Sequence, residues 1–498
     1  MSMSTDLKLL VLNLPDPPFH SVEREYAGGF GVSKRLRLGP LTRPVLNLFM
    51  PYLAAVAEDV GCEYSIIDAQ ALGLSSEKTV QKVEEFDPDV AVSMVSLPSL
   101  YFDKKVLSDV KSGLPNATVV ACGSVCNVMP EEVLRECGID LAMRDYFPYV
   151  NGLRNLLLGF KTSEGGSLKR LPGFSYVEGS EVRSNPAEES GRDFTDYVPK
   201  YDALPLKRYQ HFIDLAGESH LFAPLLGSRG CPSRCFYCPY VVGFGAEAVF
   251  EDPRKVVDQI EYLRLCLGVE GFLFRNQSFG LNRKWAERVC SDIVKRGLDV
   301  SWFCESRADH TTEDLLPLMV RSGCKRIHYG VETGDSRLIT TVKPGVRMET
   351  VRRAFDVARK FGVWRQAHII LGLSDEDCGS LKRTHDFLLE LDPDSVSVNF
   401  ATPYPGTALY REALDKDLLL THDWGRYSSF NVVLKADGLT SDELYSMARK
   451  IYDHTLAQRM ARLLGDSPGR GLASRAKLLA KYYVPKLAQE RLGLASPA

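Results

Sequence analysis

Residues 227–240 read Gly-Ser-Arg-Gly-Cys-Pro-Ser-Arg-Cys-Phe-Tyr-Cys-Pro-Tyr and set Cys231, Cys235 and Cys238 in a C-x3-C-x2-C spacing. Glycine before the first cysteine and proline after it favour a tight loop over a helix or strand. Three thiolates this close can gather around one small inorganic core. A structural zinc site would need a fourth ligand. Tyr237, Tyr240 and Phe244 are poor candidates, and the next cysteine is Cys266. A [4Fe–4S] cluster has four irons and ordinarily four Cys ligands. With three, one iron keeps an open position where a small molecule can bind. The bland alternative is a loop of three unliganded thiols.

Outward from this loop the chain alternates strand and helix. Residues 221–226 form an apolar strand running into the cysteines. Strands are then expected at 271–274, 301–304, 326–329, 365–371 and 395–400, with helices at 253–267, 284–296, 313–322, 349–361, 381–389 and 407–414. Six parallel strands with outer helices predict a partial (β/α)6 barrel over residues 219–415, whose chemistry belongs at the carboxyl ends of the strands. The cysteine loop follows the first strand.

Residues 1–160 read as a second α/β unit. Apolar strands are expected at 7–14, 65–68, 89–95, 117–121 and 140–144, with helices at 44–60, 80–86, 100–112 and 131–137 between them. This order predicts a doubly wound, Rossmann-like parallel sheet. Ligands of such sheets lie beyond the carboxyl ends of the strands, near residues 13–19, Asp68, 93–99 and 123–127. Residues 161–218 read as a linker, rich in Gly, Ser and charge, with a short hairpin near 174–177. Residues 416–498 read as a helical extension, with a long amphipathic helix at 441–464 that Thr440 or Ser441 can cap. Its basic tail, 470–491, is either a solvated helix or a patch for acidic substrate or lipid.

Composition sets bounds. At 498 residues the chain needs two or three domains. A net charge of −3 gives no global pull toward nucleic acid or anionic membranes. No apolar run approaches the ~20 residues that span a bilayer. The first residues lack a secretory pattern, so the twelve cysteines are expected to be reduced thiols in a cytoplasmic protein.

The spacing of Cys231, Cys235 and Cys238, with Tyr237 just before the third, resembles the signature of radical S-adenosylmethionine (SAM) enzymes. The resemblance implies that the open iron chelates SAM and that a reduced cluster cleaves it to methionine and a 5′-deoxyadenosyl radical. Further matches fall at strand ends in the family's order. Glu305-Ser306-Arg307 resembles an E-x-R near SAM, with Arg307 as a partner for the methionine carboxylate. Gly330-Val331-Glu332 resembles a G-x-E. Gly372-Leu373 and residues 403–407 resemble the stretches around the adenine. Arg275-Asn276 stands where relatives often carry acids. Tyr240, Phe244, His328, Tyr329, Trp364, His368 and Tyr404 lie near the active face, the two histidines reading first as core residues.

The unit before the barrel resembles the cobalamin-binding domain of the B12-dependent radical SAM subfamily. The matches are Pro15, Pro17 and Pro18, the pair Gly28-Gly29, Asp68, the small-polar loop around Ser96, and the Gly123 loop. Cys122-Gly123-Ser124-Val125 and Arg144-Asp145-Tyr146-Phe147 depart from the family's G-G-x-H and G-E-x-E. No D-x-H-x-x-G is present, so no histidine ligand to cobalt is expected from this domain. The resemblance implies cobalamin-dependent C-methylation of an unactivated carbon in a small-molecule substrate, with a flavodoxin or ferredoxin as electron donor. Two alternatives stay open. One is a radical SAM dehydratase, cyclase or carbon–carbon bond-forming enzyme without functional cobalamin. The other is a non-enzymatic iron–sulfur protein.

Overall fold

The computed structural model describes residues 7–35, 43–135, 138–162, 170–187, 191–213 and 219–465. Two seven-stranded sheets organise them. The first holds β1 (Lys8–Asn13), β2 (Glu63–Asp68), β3 (Val90–Met94), β4 (Thr118–Cys122), β5 (Leu141–Met143), β6 (Phe174–Glu178) and β7 (Glu181–Ser184). Its order is β2-β1-β3-β4-β5-β6-β7, parallel through β5 and antiparallel after it. The 2-1-3-4-5 order of the parallel part is that of a flavodoxin-like doubly wound sheet, whose switch point lies between β1 and β3. The predicted hairpin is β6–β7, and it extends this sheet.

Alternation along β1 decides the two faces. Leu9 and Val11 pack with Phe49, Leu53 and Val56, while Leu10 and Leu12 pack with Leu107 and Val110 on the other side. The helix predicted from residue 44 begins at Phe49. Pro51 thereby falls in the first turn, where its missing N–H costs no hydrogen bond.

The second sheet runs β8 (His211–Ile213), β9 (Ser219–Leu225), β10 (Gly271–Phe274), β11 (Ser301–Ser306), β12 (Cys324–Glu332), β13 (Trp364–Leu371) and β14 (Ser395–Phe400) in sequence order. Only edge strand β8 is antiparallel; the other six are parallel, the expected half-barrel. The long helix Ser441–Gly465 buries Leu444, Ala448 and Ile451 against it. Thr440 caps that helix, accepting from Glu443 N at 3.3 Å while its own N–H donates to Glu443 Oε2 at 2.8 Å. The basic tail at 470–491 lies outside the described residues.

The connector is partly core. Phe194, Tyr197, Tyr201, Leu204 and Tyr209 are buried and join the near face of the first sheet to the barrel in one apolar cluster. Tyr201 Oη donates to Pro224 O in the barrel at 2.7 Å, and Tyr209 Oη to Asp68 Oδ2 in the first sheet at 2.7 Å. Each buried aliphatic or aromatic side chain contributes about 1.5–3 kcal/mol, so the two domains are held as one packed body.

Candidate active site

Gly230 makes the cysteine loop possible. Its φ is +80°, and a Cβ there would stand 1.8 Å from Glu247 O. The loop rises from a short ribbon, Ser228–Arg229 paired with Val249–Phe250. Cys231 N donates to Gly245 O at 3.1 Å, Cys238 N to Cys235 O at 3.1 Å, and Phe236 N to Val342 O at 3.0 Å. The backbone is thus tied at both ends and in the middle. All three cysteines line a cavity of about 210 Å³ at the carboxyl ends of the barrel strands. Burial pushes the Cys235 thiol up, against the opposing pull of Lys343 and Arg307. Burial, then the neighbouring Cys235, pushes Cys238 up as well.

Glu332 ends β12 in the left-handed region, φ +64°, where the register with β13 shifts between Gly330 and Glu332. Such a bulge re-aims a side chain. Here it turns the carboxylate into the cavity, where Lys343 Nζ meets Glu332 Oε1 at 2.7 Å and Gly330 O at 2.5 Å. Burial first, then the charge of Glu332, raises the Tyr237 hydroxyl well above its usual range. Lys343 was not singled out in the sequence. Its only signal there is Lys-Pro-Gly directly after an amphipathic turn.

Arg307 lines the same cavity. Its Nε and Nη2 bond Asp309 at 3.0 and 2.9 Å, Nη2 also reaches Pro344 O at 3.1 Å, and Nη1 points at Cys235 Sγ, 3.7 Å away. The paired edge expected to face a ligand carboxylate therefore faces Asp309, leaving Nη1 toward the cysteines. Glu305 lines the cavity 3.8 Å from Arg275 Nη1. Arg275 is held above its ordinary range by Tyr240, Glu305, Glu25 and Glu23, which outweigh its burial. Gly330 is a lining residue; Gly372 is not. Gly372 has φ +80° and donates its N–H to Glu376 Oε2 at 2.6 Å, a bond inside the barrel wall. His328 and His368, read first as core, also line the cavity, their ring centroids 5.5 Å apart. Tyr26 and Ala27 reach it from the N-terminal domain, a contribution with no sequence signal.

The four residues expected to contact cobalamin lie at the strand ends of the first sheet, but not around an open crevice. Asp68 is 2% exposed and fully used. Its Oδ1 accepts from Asn13 Nδ2 and Ala71 N, and its Oδ2 from Tyr209. Ser96 Oγ shares a hydrogen with Ser99 Oγ at 2.7 Å. Gly123 is pressed on Val95 O, 2.5 Å from where a Cβ would stand. Pro17 sits in the loop after β1, where its carbonyl accepts from His20 N at 3.1 Å.

Two family models match the chain: the radical SAM superfamily over residues 225–405 and the B12 binding domain over residues 42–151. This chain is a radical SAM enzyme with a B12-binding domain. It is 28% identical over 448 residues to the uncharacterised methyltransferase PH0819 of Pyrococcus horikoshii, covering 90% of this chain and 92% of that one. It is 26% identical to the anaerobic magnesium-protoporphyrin IX monomethyl ester cyclase of Cereibacter sphaeroides, covering 86% and 70%. Its fold resembles the radical SAM methyltransferase TsrM of Kitasatospora setae, solved with cobalamin and a [4Fe–4S] cluster (TM-score 0.70, 14% identity, 99% and 98% covered). It also resembles the cobalamin-dependent radical SAM enzyme OxsB (TM-score 0.70, 16% identity, 98% and 72% covered).

The radical SAM domain implies a [4Fe–4S] cluster and SAM, and the B12-binding domain implies cobalamin. The cysteine loop fits the first. Among the described residues no three His, Cys, Asp or Glu converge to hold a single metal ion, whereas a cubane places its thiolates on separate irons. The Gly330–Glu332 edge, with Lys343 and Arg307, forms a polar, charged wall of the same cavity. Asp68, Ser96 and Pro17 do not fit cobalamin as they stand, because their polar atoms are taken up by the chain itself, although Ser93 Oγ and Asn127 Oδ1 in the same strand-end stretches are buried without a hydrogen-bond partner. No helix among the described residues is long and apolar enough to cross a membrane.

Proposed function

We propose that the chain holds its cluster through Cys231, Cys235 and Cys238, binds SAM against Gly330, Glu332, Arg307 and Glu305, and attacks an unactivated carbon of a small substrate in the adjoining cavity. The observation that carries this reading is a single cavity shared by all three cysteines and by these strand-end residues. A cluster held there by Cys231, Cys235 and Cys238 would supply the one-electron reducing chemistry by which bound SAM is cleaved and hydrogen is taken from that carbon.

The protein's own part is placement. Lys343 neutralises Glu332, so the bulged carboxylate can sit beside anionic thiolates without driving them apart. Arg307 Nη1 adds a positive group at Cys235. Tyr26, Tyr240, Phe400 and Tyr404 line the cavity with aromatic rings, closing it against solvent and the side reactions that solvent access permits. His328, His368 and Asn399 give a substrate hydrogen-bonding partners deeper in the barrel. A low-potential donor such as a flavodoxin or ferredoxin, and a cytoplasmic setting, are part of this reading.

For the fate of the substrate carbon we favour methyl transfer, supported by the resemblance over 90% of the chain to a protein described as a methyltransferase. A second reading, ring closure or dehydration without methyl transfer, draws on one observation: the strand ends of the first sheet are occupied by the chain itself. Product analysis under anaerobic reduction separates them. A methyltransferase forms S-adenosylhomocysteine along with 5′-deoxyadenosine, and the second reading gives 5′-deoxyadenosine alone. Cys235→Ala should abolish both products together with the iron; retained 5′-deoxyadenosine would refute the cluster assignment.

A further inference from the structure

The B12-binding fold leads one to look for its ligand at the switch point between β1 and β3. In this chain a segment of its own lies there. Residues 20–35 leave β1, form the antiparallel ribbon His20–Glu23 with Val32–Arg35, and turn at Tyr26–Gly29. Residues 24–31 are almost entirely buried between the first sheet and the cysteine loop.

Contacts on the sheet side are polar and specific. Arg24 is 0% exposed. It donates to Leu14 O at 3.0 Å and Pro15 O at 3.1 Å, the two carbonyls that follow β1. Its Nη2 pairs with Asp103 Oδ1 at 2.7 Å, also at 0% exposure. Asp103 in turn accepts from Ser96 N and Ser99 Oγ, in the loop after β3. One guanidinium therefore bridges the two loops that should open around a ligand. Leu97 N adds a bond to Phe30 O at 2.8 Å, and a Cβ on Gly31 would stand 2.6 Å from Ser96 Cβ.

Contacts on the barrel side are backbone to backbone. A Cβ on Gly28 would come within 2.9 Å of Pro239 and Tyr240 main-chain atoms, and one on Gly243 within 2.0 Å of Gly28 O. Ser124 Oγ, next to Gly123, donates to that same carbonyl. Glycine on both segments is what permits this approach. A corrin ring is many times wider than the gap.

We propose that residues 24–31 are a displaceable plug: they fill the corrinoid crevice, and cobalamin binds only by driving them out. The same segment carries Tyr26 and Ala27 into the reaction cavity, so its departure would expose that cavity to the corrin. Plug and corrinoid thus compete for one place beside the cysteines. Driving the plug out parts Arg24 from Asp103, and breaking a buried pair is costly, so the plug acts as a barrier to uptake.

The test uses the full chain with its cluster loaded, under anaerobic conditions, and hydroxocobalamin as probe. Cobalt per chain, the rate of the visible absorbance change and amide hydrogen exchange of residues 24–31 are followed together. Iron content and SAM cleavage on the same samples report separately on the cluster reading. Wild type should take up cobalt slowly, and exchange of residues 24–31 should rise at least tenfold once it has. Gly243→Ala, which crowds Gly28 O but keeps the Arg24–Asp103 pair, should speed uptake about tenfold. The paired change Arg24→Met with Asp103→Asn, which leaves no lone charge, should do the same. One cobalt per chain with residues 24–31 still protected would overturn the proposal. So would uptake equally fast in wild type and both variants, or no uptake by any of them with iron intact.

Discussion

Lys343 Nζ lies 2.7 Å from Glu332 Oε1, with side-chain exposures of 4% and 7%, at the wall of the cysteine-lined cavity. Removing one member of such a pair strands a buried charge, at a cost of about 3–5 kcal/mol. Lys343→Met should lower unfolding free energy in urea by that order. The double change Lys343→Met with Glu332→Leu should recover much of the loss while still weakening SAM binding. A single variant as stable as wild type would mean that the pair is solvated.

Gly230→Ala tests the loop without touching a ligand. A left-handed residue carrying a Cβ that meets Glu247 O must move the backbone, and strain of this kind costs about 1–3 kcal/mol before the clash is counted. Iron per chain after reconstitution should fall severalfold although all three cysteines remain. Full iron loading would show that the loop has room that its geometry denies it.

Arg307 is expected to act on SAM through one charged edge, since Asp309 holds the other. Losing one hydrogen bond to a charged group costs about 1.5–3 kcal/mol. Arg307→Gln should therefore weaken SAM binding roughly ten- to hundredfold, read by equilibrium dialysis, with iron content unchanged. Unaltered affinity would leave Arg307 as a brace for Asp309 and Pro344 alone.

Burial pushes the Glu376 carboxyl up to about 8, while its Oε2 accepts from Gly372 N. Unfolded, the same group titrates near 4.3. Between these values the folded chain holds a proton that the unfolded chain has released, so stability falls as pH rises through this window. Glu376→Gln, which cannot ionise, should lose about 1–3 kcal/mol less than wild type between pH 6 and 8 in urea unfolding. Glu25, pushed by burial to about 7, and Asp145, pushed to about 6, add to the fall of stability with pH, while His310 and His385, lowered by burial, oppose it. Identical pH profiles would show Glu376 ionised in the folded chain.

Much of the architecture was legible because it is periodic. Near-continuous apolar runs such as residues 90–94 can satisfy themselves only inside a parallel sheet, and strand–helix alternation gave both sheets and the six parallel strands in order. The cysteine loop was legible because ligand spacing is a local property. Boundaries were less so: the helix read from residue 44 starts at Phe49, where Pro51 can be accommodated. Asp68 illustrates the limit most sharply. A carboxylate at a strand end suits a ligand contact and a helix cap equally well, and its partners Ala71, Asn13 and Tyr209 show it engaged as the cap.

By itself, then, the sequence determined the order of elements and the trio Cys231, Cys235 and Cys238, because backbone periodicity and short ligand spacings are written along the chain. The tertiary structure alone decided that Lys343 meets Glu332 across a bulge, that Arg307 turns its paired edge to Asp309, and that Arg24 crosses the switch point to Asp103. The physical reason is distance along the chain. Arg24 and Asp103 are 79 residues apart, and whether a buried charge finds a partner or a ligand depends on how two loops close over each other, which no local pattern records.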